Sequence, residues 1–136
     1  MLFRSVKFIQ ITDGTSNTLL FSEIYGIDHV QDGRGLWILP AMGGNTFTTK
    51  FPPNSNGTDI IPICPPTWPG AANDPEKCTR NRNDGNVWAS ARSQHTGGVN
   101  VVFADGSVRF VSSSIDANLW RALGSRAGGE VVSGDF

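Results

Sequence analysis

Short apolar runs separated by polar turns dominate the pattern along this chain, which is typical of strands joined by tight turns. Residues 6–11 form the first such run and are predicted to be a short strand. The run 19–25 could form a strand or a helix, and its shortness and the following Gly26 favour a strand. Between the two runs, residues 13–18 are glycine and small polar residues, whose side chains can bond their own backbone in a turn. The Asp-Gly-Arg-Gly sequence at 32–35 predicts a further turn.

The clearest pattern lies near the C-terminus, where apolar runs at 99–104 and 107–112 flank the dipeptide Asp105-Gly106. Asp-Gly between two such runs predicts a hairpin with a two-residue type I′ turn, because both central residues of that turn need positive φ. The resulting register gives one apolar face, with Phe103 opposite Val108 and Val101 opposite Phe110. The other face then carries Asn100, Val102, Arg109 and Val111.

A short helix is predicted over 115–123, directly after the hairpin. Ser114 is a suitable N-cap, Asp116 would lie favourably in the first turn, and Gly124 would end the helix. The apolar residues of this segment fall at helical spacing: Ile115, Leu119 and Leu123. The pattern as a whole predicts an α+β or mainly-β fold, an antiparallel sheet with a C-terminal hairpin and one short helix.

From about residue 40 to 84 the chain is mostly Gly, Pro, Asn and Thr. So long a stretch without regular structure is uncommon inside a compact domain, so it is either a functional loop or a loop held by its cysteines. Cys64 and Cys78 are the only two cysteines, and they flank a Pro-rich segment. They are predicted to form a disulfide, worth about 3 kcal/mol for a loop of this length. The alternative is two unpaired thiols. A zinc site is not expected, because the two cysteines are far apart and have no histidine nearby.

Composition limits the class of protein. The 136 residues are predicted to form one domain over 1–136, and the charged fraction of 17% is below the roughly 25% usual for globular domains. The net charge is −1, and no segment carries a basic stripe, which argues against nucleic-acid binding. No apolar run approaches the about eighteen residues of a membrane span. Residues 1–7 also lack the uninterrupted apolar region of a signal peptide, which by itself would indicate the cytoplasm.

Few residues point to catalysis. His29 and His95 are the only histidines, and the motifs of serine hydrolases, zinc peptidases and phosphate-binding loops are missing, so the chain is predicted not to be an enzyme. Of the four tryptophans, Trp37, Trp88 and Trp120 are predicted to be core residues. Trp68 lies in the cysteine-bounded loop and is the candidate platform for a glycan or another ligand, unless it packs beneath its own loop.

Three segments together resemble one family: residues 11–23, 91–110 and 120–132. They are similar to the large planctomycete family of prepilin-like proteins classed as domain of unknown function 1559. The C-terminal signature of that family is a histidine, nine residues and then Asp-Gly, and His95 with Asp105-Gly106 matches this spacing. The resemblance runs from about residue 6 to the end of the chain and is weakest across 40–84.

The resemblance implies a pseudopilin-like subunit of an extracellular or cell-surface assembly. A periplasmic location is the alternative. Members usually begin with a cleavable leader and a long hydrophobic helix, whereas this chain is expected to be the pseudopilin-like globular part without that helix. The expected partners are further copies or other pilin-like subunits. The alternative function is a carbohydrate- or solute-binding module that uses the 40–84 region.

The same resemblance suggests, by analogy with pseudopilins, a calcium site built from loop carboxylates: Asp13, Glu23, Asp105 or Asp116. The alternative is that these acids cap turns and helices. An EF-hand beginning at Asp13 is excluded, because the glycine and glutamate it needs are replaced by Thr18 and Ile24.

The signature residues His95 and Asp105 are not predicted to form one active site. Asp105 would lie at the tip of the hairpin, and His95 would lie about 30 Å away if the strand is extended throughout. We therefore expect Asp105 to bond its own turn. His95 is expected to be structural and to bond the chain around 114–116, where the C-terminal helix begins.

Overall fold

The fold was analysed in a computed structural model that describes residues 6–36, 38, 42–67, 69, 77–81 and 86–130. In that part of the chain an antiparallel sheet of three strands has the order β1-β4-β5, and a separate parallel pair joins β2 to β3. The bounds are β1 Leu19–Ser22, β2 Asp59–Ile61, β3 Cys78–Arg80, β4 Gly98–Phe103, β5 Val108–Ser112 and α1 Ala117–Leu123. The predicted class, α+β or mainly β with a C-terminal hairpin and a short helix, is confirmed.

The hairpin forms where the sequence predicts it, but its turn is different. Phe103 donates its N–H to the Ser107 carbonyl and accepts the N–H of Gly106, both at 2.9 Å, so the loop contains the three residues 104–106. Gly106 has φ 86° and supplies the left-handed residue that a three-residue hairpin loop needs. The prediction of a two-residue type I′ turn was therefore wrong.

The longer loop changes the register by one residue. Val101 pairs with Arg109, and Val102 pairs with Val108. A shift of one residue moves every side chain of one strand to the other face relative to its partner. Val111 is accordingly buried, whereas Val108 and Phe110, predicted to share the apolar face with Val101 and Phe103, are exposed.

The main core lies on the face of the sheet that helix α1 covers. Trp120 and Leu123 of α1 are fully buried. They belong to one cluster with the inward residues of the hairpin and the chain that precedes it: Ala91, Val99, Val101, Phe103 and Val111. Helix α1 therefore packs against the apolar inward face of the sheet.

Helix α1 begins two residues later than predicted. The Asp116 carboxylate accepts the N–H groups of Asn118 and Leu119 at 2.9 and 3.0 Å, so Asp116, not Ser114, is the N-cap. Gly124 follows the last helical residue as predicted, but its φ of −81° is one that any residue can adopt. Steric reasons favour glycine here, since a Cβ would clash with the Thr49 side chain.

The strand predicted over 6–11 is wrong. Phe8–Gln10 forms a single turn of 3-10 helix, in which Lys7 donates its N–H to the Gln10 side chain at 2.9 Å. The side chains of 6–10 are exposed, so no buried face stabilises an extended strand there.

The predicted disulfide is confirmed. Cys64 and Cys78 are bonded, with their Cα atoms 6.0 Å apart. Both are buried and form a second small core with Ile61 and Ala89. The 40–84 region thus contains the strands β2 and β3 as well as loops, and its cystine joins β3 to the segment after β2.

Candidate functional site

The candidate site is the face of the three-stranded sheet that points away from helix α1. Phe21 of β1, Val102 of β4 and Val108 of β5 are direct partners across the sheet and form one row. Asn100 and Phe110 are partners in the next row. We call the surface formed by Phe21, Glu23, His95, Asn100, Val102, Val108 and Phe110 the outer face.

The outer face is unusually apolar for a surface in contact with water. The exposed fractions are 62% for Phe21, 66% for Val108 and 50% for Phe110. Antiparallel sheets with one solvated side normally carry polar side chains there. Large contiguous apolar surfaces on a folded domain mark sites of interaction.

One corner of the outer face is polar. The Glu23 carboxylate accepts the backbone N–H of Asn100 at 2.8 Å and its side-chain amide at 3.2 Å, and it lies 3.0 Å from His95 Nε2. Partial burial raises the pKa of Glu23, but the hydrogen bonds from Asn100 and the contact with His95 outweigh it, so the pKa is lowered overall. This corner joins the end of β1 to the turn before β4.

His95 therefore has a different partner from the one expected. Its ring contacts Glu23 and stands edge-on to Phe110, with ring centroids 6.4 Å apart. The predicted bond to the chain around 114–116 was wrong, because the pairing of β1 with β4 brings Glu23 beside the His95 ring. Glu23 was predicted only as a possible calcium ligand. Nothing in the spacing of Glu23 and His95 along the chain indicates that their side chains are in contact.

Asp105 bonds within the hairpin loop. Its carboxylate accepts the N–H of Ser107 at 2.8 Å. Hydrogen bonds from the Ser107 side chain and backbone lower the pKa of Asp105, with a smaller contribution from the charge of Arg109. His95 and Asp105 thus act at separate places in the fold.

We expect Asp105→Asn to leave the melting temperature nearly unchanged, since the amide oxygen of asparagine can accept the same bond from Ser107. His95→Ala should lower it clearly, because Glu23 loses a partner and Phe110 loses a ring contact. Thermal unfolding followed by circular dichroism measures both. Equal losses for the two variants would contradict the separate roles.

The lowered pKa of Glu23 predicts a contribution to acid unfolding. When the pH falls below the ordinary value of 4.5, the unfolded chain takes up this proton before the folded one does, so acid destabilises the fold. Glu23→Gln should therefore lose less stability than the unmodified chain between about pH 6 and pH 3. Urea unfolding at several pH values measures this, with Asp28→Asn as the control for an exposed carboxylate. An identical pH dependence for Glu23→Gln and the unmodified chain would contradict the prediction.

The four calcium candidates are not brought together. Asp13 accepts the N–H groups of Gly128 and Gly129 at 2.8 and 3.0 Å, and these bonds lower its pKa. Asp116 caps α1, while Glu23 and Asp105 make the bonds described above. Within the described ranges, no group of three or more His, Cys, Asp or Glu side chains could hold a metal ion. Asp116 thus caps a helix and Asp105 accepts a bond within its turn, whereas Asp13 and Glu23 accept backbone N–H groups from distant segments.

A buried ionic network, which the sequence did not reveal, is centred on Asp59 of β2. The Arg34 guanidinium bonds Asp32 through two nitrogens, at 3.0 Å from Nε and 2.7 Å from Nη2. Its Nη1 lies 3.6 Å from Asp59 Oδ2. Asp59 also accepts Arg92 Nε at 3.1 Å. All four side chains are at most 3% exposed.

Backbone groups complete the network. Arg92 donates from Nη1 to the Ser55 carbonyl at 2.7 Å and from Nη2 to the carbonyl of Gly57. Burial raises the pKa of Asp32, but the hydrogen bonds and charge of Arg34 outweigh it and lower the pKa. The two aspartates and two arginines balance in charge, and they join the turn at 32–35 to β2 and to the segment before β4.

The tryptophans occupy different places. Trp120 is a core residue, and Trp88 is half-buried beside Phe51, with the Lys50 ammonium 3.6 Å from its ring centroid. Trp37 and the ligand candidate Trp68 lie outside the described residues.

In the described part of the chain, no helix has the length and apolar character needed to cross a membrane. No curated protein and no solved structure matches the sequence. The model of a family described as proteins of unknown function, DUF1559, matches residues 2–118. That match spans all five strands and the start of α1, and the chain belongs to this family.

Proposed function

We propose that this domain is a non-enzymatic structural subunit that assembles outside the cytoplasm in the manner of a pseudopilin. The observation that carries the proposal is the outer face, an exposed apolar surface on the three-stranded sheet. Its proposed partner is another copy of the chain.

The chemistry of the outer face favours a protein partner. A near-neutral chain with no basic stripe has little attraction for nucleic acid or for an anionic membrane surface. Phe21, Val108 and Phe110 would instead be buried against another apolar protein surface, and each copy carries one. The polar corner at Glu23 and His95 would lie at the rim of such a contact.

The disulfide supports a location outside the cytoplasm. Disulfides that hold a fold together form and persist in oxidising compartments and are rare in the cytosol. The Cys64–Cys78 bond is buried, which is typical of a structural disulfide.

Phe21→Ser tests the assembly role. We expect the average mass of the unmodified chain in sedimentation velocity to rise with concentration and that of Phe21→Ser to rise much less, because the substitution removes the largest apolar side chain of β1 from the outer face. Val30→Ser is the matched control, since Val30 is fully exposed and lies outside the outer face. A strictly monomeric chain at every concentration would contradict the proposal.

The alternative of a carbohydrate- or solute-binding module depends on Trp68 and the 40–84 region. Contacts among the described residues do not favour it over assembly. A glycan-array signal that disappears in Trp68→Ala, together with a monomeric chain in sedimentation, would favour this alternative.

A further inference from the structure

We propose that β5 pairs antiparallel with β5 of a second copy, about a two-fold axis at Phe110, so that two sheets join into one of six strands. The inference rests on the proposed function, since it names the partner as a second copy and specifies how the first contact forms.

The two edges of the three-stranded sheet differ. Strands β1 and β5 are its edge strands, and among the described residues no strand pairs with the far side of either. The pairing register between β1 and β4 shifts between Leu19 and Phe21, and such an irregularity hinders the pairing of another strand with the free edge of β1. In contrast, β5 pairs with β4 at five successive positions without a shift. Its one charged residue is Arg109, and it contains neither lysine nor proline, which commonly protect an edge.

The backbone of β5 is oriented for pairing. At one end of the hairpin the Ser107 carbonyl bonds β4, and at the other end Ser113 donates its N–H to Gly97. In an antiparallel ladder, successive residues of a strand direct their backbone N–H and C=O groups to opposite sides. The backbone groups of residues 109 and 111 therefore also point to β4. Those of Val108 and Phe110 point to the free edge. The Ser112 carbonyl accepts the N–H of Ile115 at 3.1 Å, so the groups open for pairing centre on Phe110.

Electrostatics selects the register. A pairing centred on Arg109 would place two guanidinium groups directly opposite each other, and like charges in that position destabilise a sheet. A pairing centred on Phe110 places the two phenyl rings side by side and Arg109 opposite Val111 of the other copy. The two-fold axis then runs perpendicular to the sheet. Both outer faces consequently lie on the same side and form one continuous apolar surface for further assembly.

Cysteine crosslinking tests this register. Directly opposed residues of a hydrogen-bonded antiparallel pair have Cα atoms about 5.5 Å apart, within the range of a disulfide. We therefore expect Phe110→Cys to give a crosslinked dimer as its main product under mild oxidation. Val108→Cys is the matched control: Val108 is at least as exposed as Phe110, but its two copies would be about 13 Å apart along the strands. An equimolar mixture of Val108→Cys and Ser112→Cys should crosslink as a heterodimer.

Two further results complete the test. Phe110→Pro removes an outward N–H without touching the ladder to β4, and it should weaken dimerisation about tenfold or more relative to Phe110→Thr, which keeps the N–H. A dimer from Arg109→Cys but not Phe110→Cys, or equal crosslinking of Val108→Cys and Phe110→Cys, would overturn the proposed pairing. If Phe21→Ser weakens self-association while Phe110→Cys gives no dimer, the edge pairing is wrong and the assembly role stands. If the unmodified chain never associates, both are wrong.

Discussion

Asp59→Ala is expected to lower the free energy of unfolding by about 3–5 kcal/mol, the typical cost of removing one partner from a buried ion pair. Asp59 lies between Arg34 and Arg92 and is 1% exposed. Without its carboxylate, the Arg92 guanidinium keeps only carbonyl partners in a site closed to water. The backbone N–H of Ser90, which Asp59 accepts at 3.1 Å, also loses its acceptor.

Urea unfolding measures this loss, and two further variants separate its causes. Asp59→Asn keeps an oxygen for Ser90 and Arg92 but removes the charge, so its loss should lie between that of Asp59→Ala and zero. Asp28→Ala removes an exposed carboxylate and should be nearly neutral. If Asp59→Ala were within about 1 kcal/mol of the unmodified chain, the network would contribute little to folding.

Loss of the disulfide is expected to cost about 3 kcal/mol, because Cys64 and Cys78 close a loop with a sequence separation of 14. The bond restricts the unfolded chain across a segment that contains few apolar residues. Cys78 also pairs with Asp59 in the parallel ladder of β2 and β3, so the cystine and the ionic network stabilise the same part of the fold.

The measurement compares unfolding with and without reductant. The unmodified chain should lose stability on reduction, whereas a Cys64→Ala/Cys78→Ala double variant should be less stable from the start and indifferent to reductant. If reduction leaves the unfolding midpoint of the unmodified chain unchanged, the 40–84 region is held by its other contacts and the bond is dispensable for folding.

Local features of the sequence determined several parts of this fold. The Asp-Gly dipeptide between two β-branched runs fixed the place of the hairpin, because few residues other than glycine adopt the left-handed φ of 86° at Gly106. Two cysteines on either side of a Pro-rich loop determined the disulfide. The order of the three motif segments identified the family that the comparison confirms. Each of these signals lies in a short stretch of chain.

Only the tertiary structure decided the hairpin register. The loop residues Ala104 and Asp105 donate their N–H groups to the carbonyls of Thr18 and Thr15, at 2.8 and 3.1 Å. Contacts from the segment that precedes β1 thus stabilise a three-residue loop over the two-residue turn that local propensity favours. That single-residue change exposes Phe110 and creates the apolar outer face.

The same reason explains why the buried charges and the Glu23–His95 contact were not predictable. Asp32 and Arg92 lie in turn-like or unpatterned segments, and their burial depends on which distant segments pack around them. Glu23 and His95 are 72 residues apart, and the pairing of β1 with β4 brings them together. Spacing along a chain reports periodicity and turns, whereas contacts between distant segments depend on packing and register, which only the folded chain specifies.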